Sequence, residues 1–511
     1  MSNNYYITTP IYYVNDVPHI GTAYTTLACD VIARFHRLNG KNVLFLTGTD
    51  EHGQKVEKSA IKASMEPQQF VDQNSMHFRN LVEKMNFSPD DFIRTSEVRH
   101  KIAAIKFWQE LEKNGDIYLG KYSGWYSVRD EAFYAESELI ADKVAPTGAP
   151  VEWIEEPSYF FALSKWQDKL LEFYEVNTNF ILPISRRNEV INFVKGGLQD
   201  LSISRTSFNW GIPIPEEENH VMYVWLDALT NYISALGYPE DTEKMQAFWP
   251  ANVHVVGKDI LRFHAVYWPA FLMAVGLPLP KCIMAHGWWT NEGQKISKSI
   301  GNVIDPFGLV DDFGVDQVRY FLMREVIFGN DGNYSRDNLI SRINSELANK
   351  IGNLVQRTVS FAHNYNEQKV PNVDDQFIEQ MHGSTIFQNI SKIVQDNASL
   401  IAEYNIGGVL NNIMWIVGEG NDYMEKQAPW KLRKVDPEKM LEAIYTLLEM
   451  IRYIGILLQP FTPRAGEKIL DILGIDKAKR SFAFLSKEHV IKPDSKLQTP
   501  VPIFPRIEQK V

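Results

Sequence analysis

Residues 5–50 spell a strand, a helix and a second strand, and that order leaves few folds open. Tyr5-Tyr6-Ile7-Thr8-Thr9 is aromatic and β-branched, a composition that suits a pleated surface. Leu27, Val31, Ile32 and Phe35 then fall on one stripe of a helix expected from about Thr22 to Asn39, with Gly40 as its stop. Val43-Leu44-Phe45-Leu46 is a continuous apolar run, not an alternating one, as expected for a strand covered on both faces. Strand, helix and strand of this kind make a βαβ unit in a parallel sheet, which binds ligands at the carboxyl ends of its strands. Between the first strand and the helix lie an Asn15-Asp16 turn and Pro18-His19-Ile20-Gly21. Backbone N–H groups at a helix N-terminus lack intrahelical partners and carry the positive end of the dipole, so an anion is favoured there. Gly21 would let it approach the backbone.

A chain of 511 residues implies about three domains, and 45% hydrophobic with 23% charged residues is ordinary for a globular protein. No basic region followed by an apolar run opens the sequence, and no stretch of about 18 apolar residues occurs, so neither secretion nor membrane spanning is expected. Cys29 and Cys282 are too few for a disulfide framework or a four-cysteine metal site, and a cytoplasmic location is expected. The net charge of −11 argues against a generic nucleic-acid binder. It is uneven, however: from Ile340 onward 21 Lys+Arg meet 20 Asp+Glu (+1), while the preceding residues carry 31 and 43 (−12). Local basic faces remain open to an RNA backbone.

A second stretch bears on the first. Gly293-Gln294-Lys295-Ile296-Ser297-Lys298-Ser299-Ile300-Gly301-Asn302 places two lysines three apart in a Gly- and Ser-rich loop. Alone, either lysine reads as a solvated charge and His19 as a turn residue. Together the His-Ile-Gly helix start and the Lys-Ile-Ser-Lys-Ser loop resemble the paired nucleotide-binding signatures of class I aminoacyl-tRNA synthetases. Thr47-Gly48-Thr49-Asp50-Glu51-His52-Gly53, at the end of the second strand, narrows the resemblance to the methionyl-tRNA synthetase family. In itself Asp50 could equally cap the helix that follows.

The resemblance covers nearly the whole chain. It implies an α/β fold: a Rossmann-like parallel-sheet catalytic domain with a connective-peptide insertion, followed by an all-α anticodon-binding helical bundle. The expected boundaries are 1–114 and 218–290 for the two catalytic halves, 115–217 for the insertion, 291–339 for the lysine-loop and stem-contact region, and 340–511 for the helical domain and tail. Methionine activation by ATP with Mg2+, followed by transfer to initiator and elongator tRNA(Met), is the implied reaction. His19, Lys295 and Lys298 match the catalytic positions, and His19, Gly21, Thr22, Gly257, Asp259 and Lys298 match those for ATP. Ile11, Tyr13, Asp50, Trp225, Ala228, Leu229, Tyr232, Ile260 and His264 match the methionine pocket. Asn353, Arg357 and Trp430 match the readers of the anticodon.

Residue chemistry fits these roles. An ionised Asp50 suits a substrate ammonium group through a charge-assisted hydrogen bond. Aromatic rings pair with a thioether at about 0.3–1.5 kcal/mol per contact. Lysines and an imidazole donor stabilise charge developing on phosphates. Unstacked bases of a single-stranded loop rest on an aromatic ring and meet side chains at their edges.

Two departures from the family pattern stand out. Thr22 occupies the place of a second histidine, and a hydroxyl is shorter and uncharged. In the insertion, Ser127 and Asp130 stand where many relatives have a zinc-binding Cys-x-x-Cys, and Ala145-Pro146-Thr147-Gly148 also lacks cysteine, so a knuckle without structural zinc is expected. The insertion is also too short for the editing domain of the isoleucine, valine and leucine enzymes. The chain stops after Pro502-Ile503-Phe504-Pro505-Arg506, without the extra tRNA-binding and dimerisation module of some relatives, so a monomer is expected. Another synthetase of the class, a small nucleotidyltransferase and a catalytically dead tRNA-binding relative are the competing readings. The short insertion, the long helical domain and intact His19, Lys295 and Lys298 weigh against them in turn.

Overall fold

The computed structural model describes residues 3–130, 132–134, 136–140, 144–296 and 301–508. Seven strands form one sheet: β1 (Asn4–Thr8), β2 (Tyr12–Tyr13), β3 (Asn42–Asp50), β4 (Asp91–Arg94), β5 (Ile181–Leu182), β6 (Val253–Gly257) and β7 (Ile283–His286). All of its pairings are parallel. β3 is flanked by β4 on one side and by β1 and β2, end to end, on the other; β6, β7 and β5 follow beyond β1.

Neighbouring residues along these strands serve opposite cores, and both are buried. Tyr5, Ile7, Val43, Phe45, Val253, Val255 and Met284 face one core, while Tyr6, Leu44, Leu46, Val256, Ile283 and Ala285 face the other. This is why the sequence reads as continuous apolar runs. Helix α1 (Ile20–Leu38) covers the first face with Leu27, Val31, Ile32 and Phe35, two residues earlier in start than its apolar spacing predicts. Helices α2 (Val98–Lys113) and α3 (Val224–Ser234) cover the second face.

The segment expected as an insertion forms an antiparallel sheet of Ile117–Ser127, Ala132–Tyr134, Glu152–Phe161 and Leu201–Ser202. It is not wholly separate from the parallel sheet, because Ile181 and Leu182 turn back to pair with Ile283 and Met284 as edge strand β5. At the knuckle Asp130 Oδ2 accepts hydrogen bonds from Tyr134 Oη (3.0 Å) and the Thr147 hydroxyl, and Arg129 Nη2 donates to the Thr147 carbonyl at 2.8 Å. Two hydroxyls and a carboxylate are not the thiolate and imidazole set that structural zinc takes, so hydrogen bonds hold this turn.

The helical domain shares the first core. Ile340, Ile343, Leu347, Ile351, Leu354 and Val355, one stripe in the sequence, are all buried in the same cluster as α1. Helices Thr385–Ala402, Ile406–Gln427 and Pro437–Leu458 pack around it. A buried ion pair crosses the junction: Arg319 Nη2 donates to Asp30 on α1 at 2.7 Å, and the same guanidinium donates to the carbonyls of Pro460, Phe461 and Met85. Burying two charges is costly unless every remaining donor is satisfied, as happens here.

Candidate active site and RNA-binding face

The carboxyl ends of β2, β3, β6 and β7 and the N-terminus of α1 enclose a cleft of about 920 Å³. Such a volume suits a small-molecule ligand. Asp50 ends β3, is buried, and lies in register with Tyr13 of β2; the following helix, Gln54–Lys62, is capped at Gly53, so Asp50 is not a helix cap. Ile11 and Tyr13 line the cleft from beyond Pro10, where the first strand breaks and resumes.

Helix α3 supplies Trp225, Ala228, Leu229 and Tyr232 to the same cleft, and the chain after β6 supplies Ile260 and His264. These aromatic groups fix one another. Trp225 stacks on Phe263 with ring centroids 3.7 Å apart and planes within 6°. His264 Nδ1–H donates to the Ile260 carbonyl at 2.9 Å, and burial lowers its pKa to about 4, so the ring is neutral and Nε2 is an acceptor. The Tyr232 hydroxyl therefore donates to Nε2 at 2.7 Å. Tyr6 donates to the Tyr232 carbonyl (2.8 Å), and His254 stacks on the Tyr232 ring at 4.0 Å. His264 lies in a short π-helical segment, Phe263–Tyr267, a widening that often accompanies functional sites.

His19, Gly21, Thr22, Gly257, Asp259 and Lys295 line the cleft as well. His19 caps α1: its Nδ1 accepts from the Gly21 N–H at 3.0 Å, which leaves the ring proton on Nε2. Its side chain is open to the cleft, yet desolvation by the surrounding protein lowers its pKa, against the opposing field of Asp259. Gly21 is required by this cap, because a Cβ there would stand 2.8 Å from His19 Cε1. Gly257 likewise makes room for Asp259, whose Oδ1 would lie 2.5 Å from a Cβ. Lys295 sits on the hairpin Trp289–Asn291 and Gln294–Lys295. Lys298 lies outside the described residues.

Trp288 in the cleft and several residues behind it have no assigned role among the sequence expectations. Trp288 Nε1–H donates to Asp259 Oδ1 at 3.0 Å, and Lys258 and Lys295 stand 4.3 and 5.7 Å from the Trp288 ring centroid. Lys258 is also paired with Asp331 at 2.6 Å. The Trp288-Trp289 pair just before the lysine loop was the available signal. His52 and Asp227 are a second case. The buried Asp227 carboxylate accepts from His52 Nδ1 at 2.6 Å and His100 Nε2 at 2.7 Å, joining the loop after Asp50 to the pocket helix.

Away from the cleft, Arg336–Arg342, Ile343–Gly352 and Asn353–Tyr365 form one run of helix, with π geometry in its middle piece. Asn353 is exposed at its third section. Arg357 donates to Glu425 at 2.7 Å and lies 5.4 Å from the ring centroid of Trp430, on the short helix Pro429–Val435. The structure thus brings Arg357 and Trp430 together across two helices.

A parallel sheet with a capping histidine and a lysine hairpin around one cleft, joined to a helical domain, defines a class I aminoacyl-tRNA synthetase, and a family model described as "tRNA synthetases class I (M)" matches residues 5–142 and 135–359. A second model, "Anticodon binding domain of methionyl tRNA ligase", matches residues 380–511. The chain is 63% identical over 511 residues to methionine--tRNA ligase of Rickettsia felis, covering 100% of each, and 52% identical to that of Brucella suis, covering 98% of each. It belongs to the methionyl-tRNA synthetase family. Among solved structures, Mycobacterium tuberculosis methionyl-tRNA synthetase in complex with methionyl-adenylate superimposes with a TM-score of 0.94 at 46% identity, covering 99% of this chain and 100% of that one. The apo form of the same enzyme gives 0.88 at 43% identity, covering 100% and 99%.

Proposed function

We propose that this chain uses ATP to activate L-methionine and transfers it to the 3′ end of initiator and elongator tRNA(Met). The observation that carries the reading is that every described residue assigned to methionine or ATP lines one cleft. In this reading Asp50 holds the methionine ammonium group, and Trp225, Leu229, Tyr232 and His264 enclose the thioether. A methionine carboxylate oxygen attacks the α-phosphorus, the new P–O bond forms, and the bond to the bridging oxygen breaks as pyrophosphate leaves. Lys295, Lys298 and the Nε2–H of His19 stabilise the charge that develops on those phosphates, in a site preorganised for it. Asp259 accepts the ribose hydroxyls once Trp288 yields its hydrogen bond. Magnesium would accompany ATP and supply neutralisation of its phosphate charge. A ribose hydroxyl of the terminal adenosine then attacks the acyl carbon and AMP leaves. Because one methylene is worth only about 1–3 kcal/mol in an apolar pocket, the rigid stacking around His264 bears the discrimination.

The helical domain completes the reading by taking the anticodon loop at Asn353, Arg357 and Trp430. A monomeric enzyme of the cytoplasm fits the two buried free cysteines, Cys29 and Cys282; gel filtration of the intact chain tests the oligomeric state. Among the described residues no helix is long and apolar enough to cross a membrane. Methionine-dependent ATP–pyrophosphate exchange without tRNA, beside the other apolar amino acids, tests the reaction. Exchange with methionine alone is expected. Exchange with another amino acid would redirect the pocket assignment, and none with any amino acid, on folded protein that binds tRNA, would refute the catalytic reading.

A further inference from the structure

The face that carries Asn353, Arg357 and Trp430 does not end with them. Helix Asn353–Tyr365 repeats at four-residue spacing through Phe361 to Tyr365, and the short helix Pro429–Val435 carries Arg433 one turn beyond Trp430. Two cation–aromatic rungs therefore cross between the same two helices. In the first, Arg357 lies 5.4 Å from the Trp430 ring centroid; in the second, Arg433 lies 4.3 Å from that of Tyr365, with the cation supplied by the opposite helix. Eight helical residues separate Arg357 from Tyr365, a rise of about 12 Å.

The second rung is built to hold its geometry and yet is not closed off. Phe361 braces the Tyr365 ring at a centroid distance of 4.7 Å. Tyr365 remains 48% exposed, more than the 39% of Trp430. Arg357 is engaged by Glu425, whereas Arg433 has no carboxylate at ion-pair distance among the described residues. Exposed Lys431 and Lys434 flank Arg433. A braced, half-exposed ring under an unpaired guanidinium, with further cations beside it, has the chemistry of a single-stranded RNA platform: the base stacks and the cation meets the phosphate.

We propose that Tyr365 and Arg433 form a second nucleotide-binding rung, which takes one unpaired nucleotide of the anticodon loop flanking the triplet. This rests on reading the helical domain as an anticodon binder. The rung has no counterpart of the Asn353 amide, and its guanidinium is assigned to the phosphate, so it adds affinity and leaves the reading of the triplet to Asn353, Arg357 and Trp430.

The test is equilibrium binding of the intact protein to a labelled hairpin with the methionine anticodon, and to the same hairpin with the triplet changed. Tyr365→Leu and Arg433→Gln are expected to weaken both hairpins about tenfold and equally, keeping their affinity ratio, and Arg433→Gln lowers the salt slope by about one. Trp430→Ala is expected to collapse the ratio. Methionine-dependent pyrophosphate exchange without RNA stays unchanged in Tyr365→Leu and Arg433→Gln, which shows that they fold. Wild-type binding by both of these variants, while Trp430→Ala loses the ratio, would overturn the second rung and leave the anticodon face standing. No effect of any of the three would overturn the anticodon face itself. A changed ratio in Tyr365→Leu or Arg433→Gln would overturn the division between affinity and specificity.

Discussion

Asp227→Asn perturbs a buried contact that ties the chain just past Asp50, at the end of β3, to helix α3. His52 follows Asp50 by two residues, and Asp227 lies between Trp225 and Ala228 on α3. Burial alone would raise the Asp227 pKa, but the field of His52 and hydrogen bonds from both histidines overcome it and hold the carboxyl at about 2, against an ordinary 3.8. That difference is about 2.5 kcal/mol at 1.36 kcal/mol per unit. Because the folded pKa is depressed, this stabilisation is present above about pH 4 and is lost as pH falls through about 2. Asparagine keeps the shape and one acceptor but turns an amide donor toward an imidazole N–H, so one of two bonds, each worth about 1.5–3 kcal/mol, is lost or must invert. We expect unfolding stability to fall by about 2–3 kcal/mol in chemical denaturation. In pyrophosphate exchange, KM for methionine should rise about 10- to 100-fold while KM for ATP moves less than about twofold, taking tenfold as about 1.4 kcal/mol. Equal rises in both would reduce Asp227 to a support of the fold; unchanged KM for methionine would refute its role in spacing the pocket.

On the proposed role, in which its ammonium meets developing phosphate charge, Lys295→Ala should lower kcat of pyrophosphate exchange by about 10²- to 10³-fold with KM for methionine nearly unchanged; a matching rise in that KM would count against the assignment. Arg319→Met removes the buried partner of Asp30, which keeps Arg34 and Ser88, and leaves the carbonyls of Met85, Pro460 and Phe461 without their donor, so a loss of about 3 kcal/mol is expected in urea unfolding. Asp30→Asn in the same chain should restore part of it, and additive losses would argue that the two residues act separately. Acid should destabilise the fold well above the carboxylate range. His264 is neutral when folded, with a pKa of about 4 against 6.5, so the unfolded chain binds the extra proton and stability falls between pH 6.5 and 4, by about 3 kcal/mol for this residue. His264→Gln should flatten that slope in unfolding curves taken at pH 7 and 4.5, and an unaltered slope would refute it.

What was legible in the sequence is what short-range physics encodes. The continuous apolar run in β3 announces a strand buried on both faces, and the stripe from Ile340 to Val355 announces a core-facing helix; each is a local pattern and each appears where the spacing put it. The cleft was legible through motifs, because the ends of parallel strands gather their loops on one edge. Trp288 escaped, since two adjacent tryptophans carry no periodicity, and its bond to Asp259 spans 29 residues. The π turns at His264 and before Asn353 escaped because the apolar spacing there reads as ordinary helix.

The sequence by itself therefore determined the sheet, the helical domain and the residue types that line the cleft. Tertiary structure alone decided how they are held. His52 and Asp227 are 175 residues apart, and Arg319 and Asp30 are 289 apart. Nothing in the local sequence pattern pairs them. Only folding removes the water around them, and once water is gone a charge must find its partner at hydrogen-bond distance or the fold does not hold.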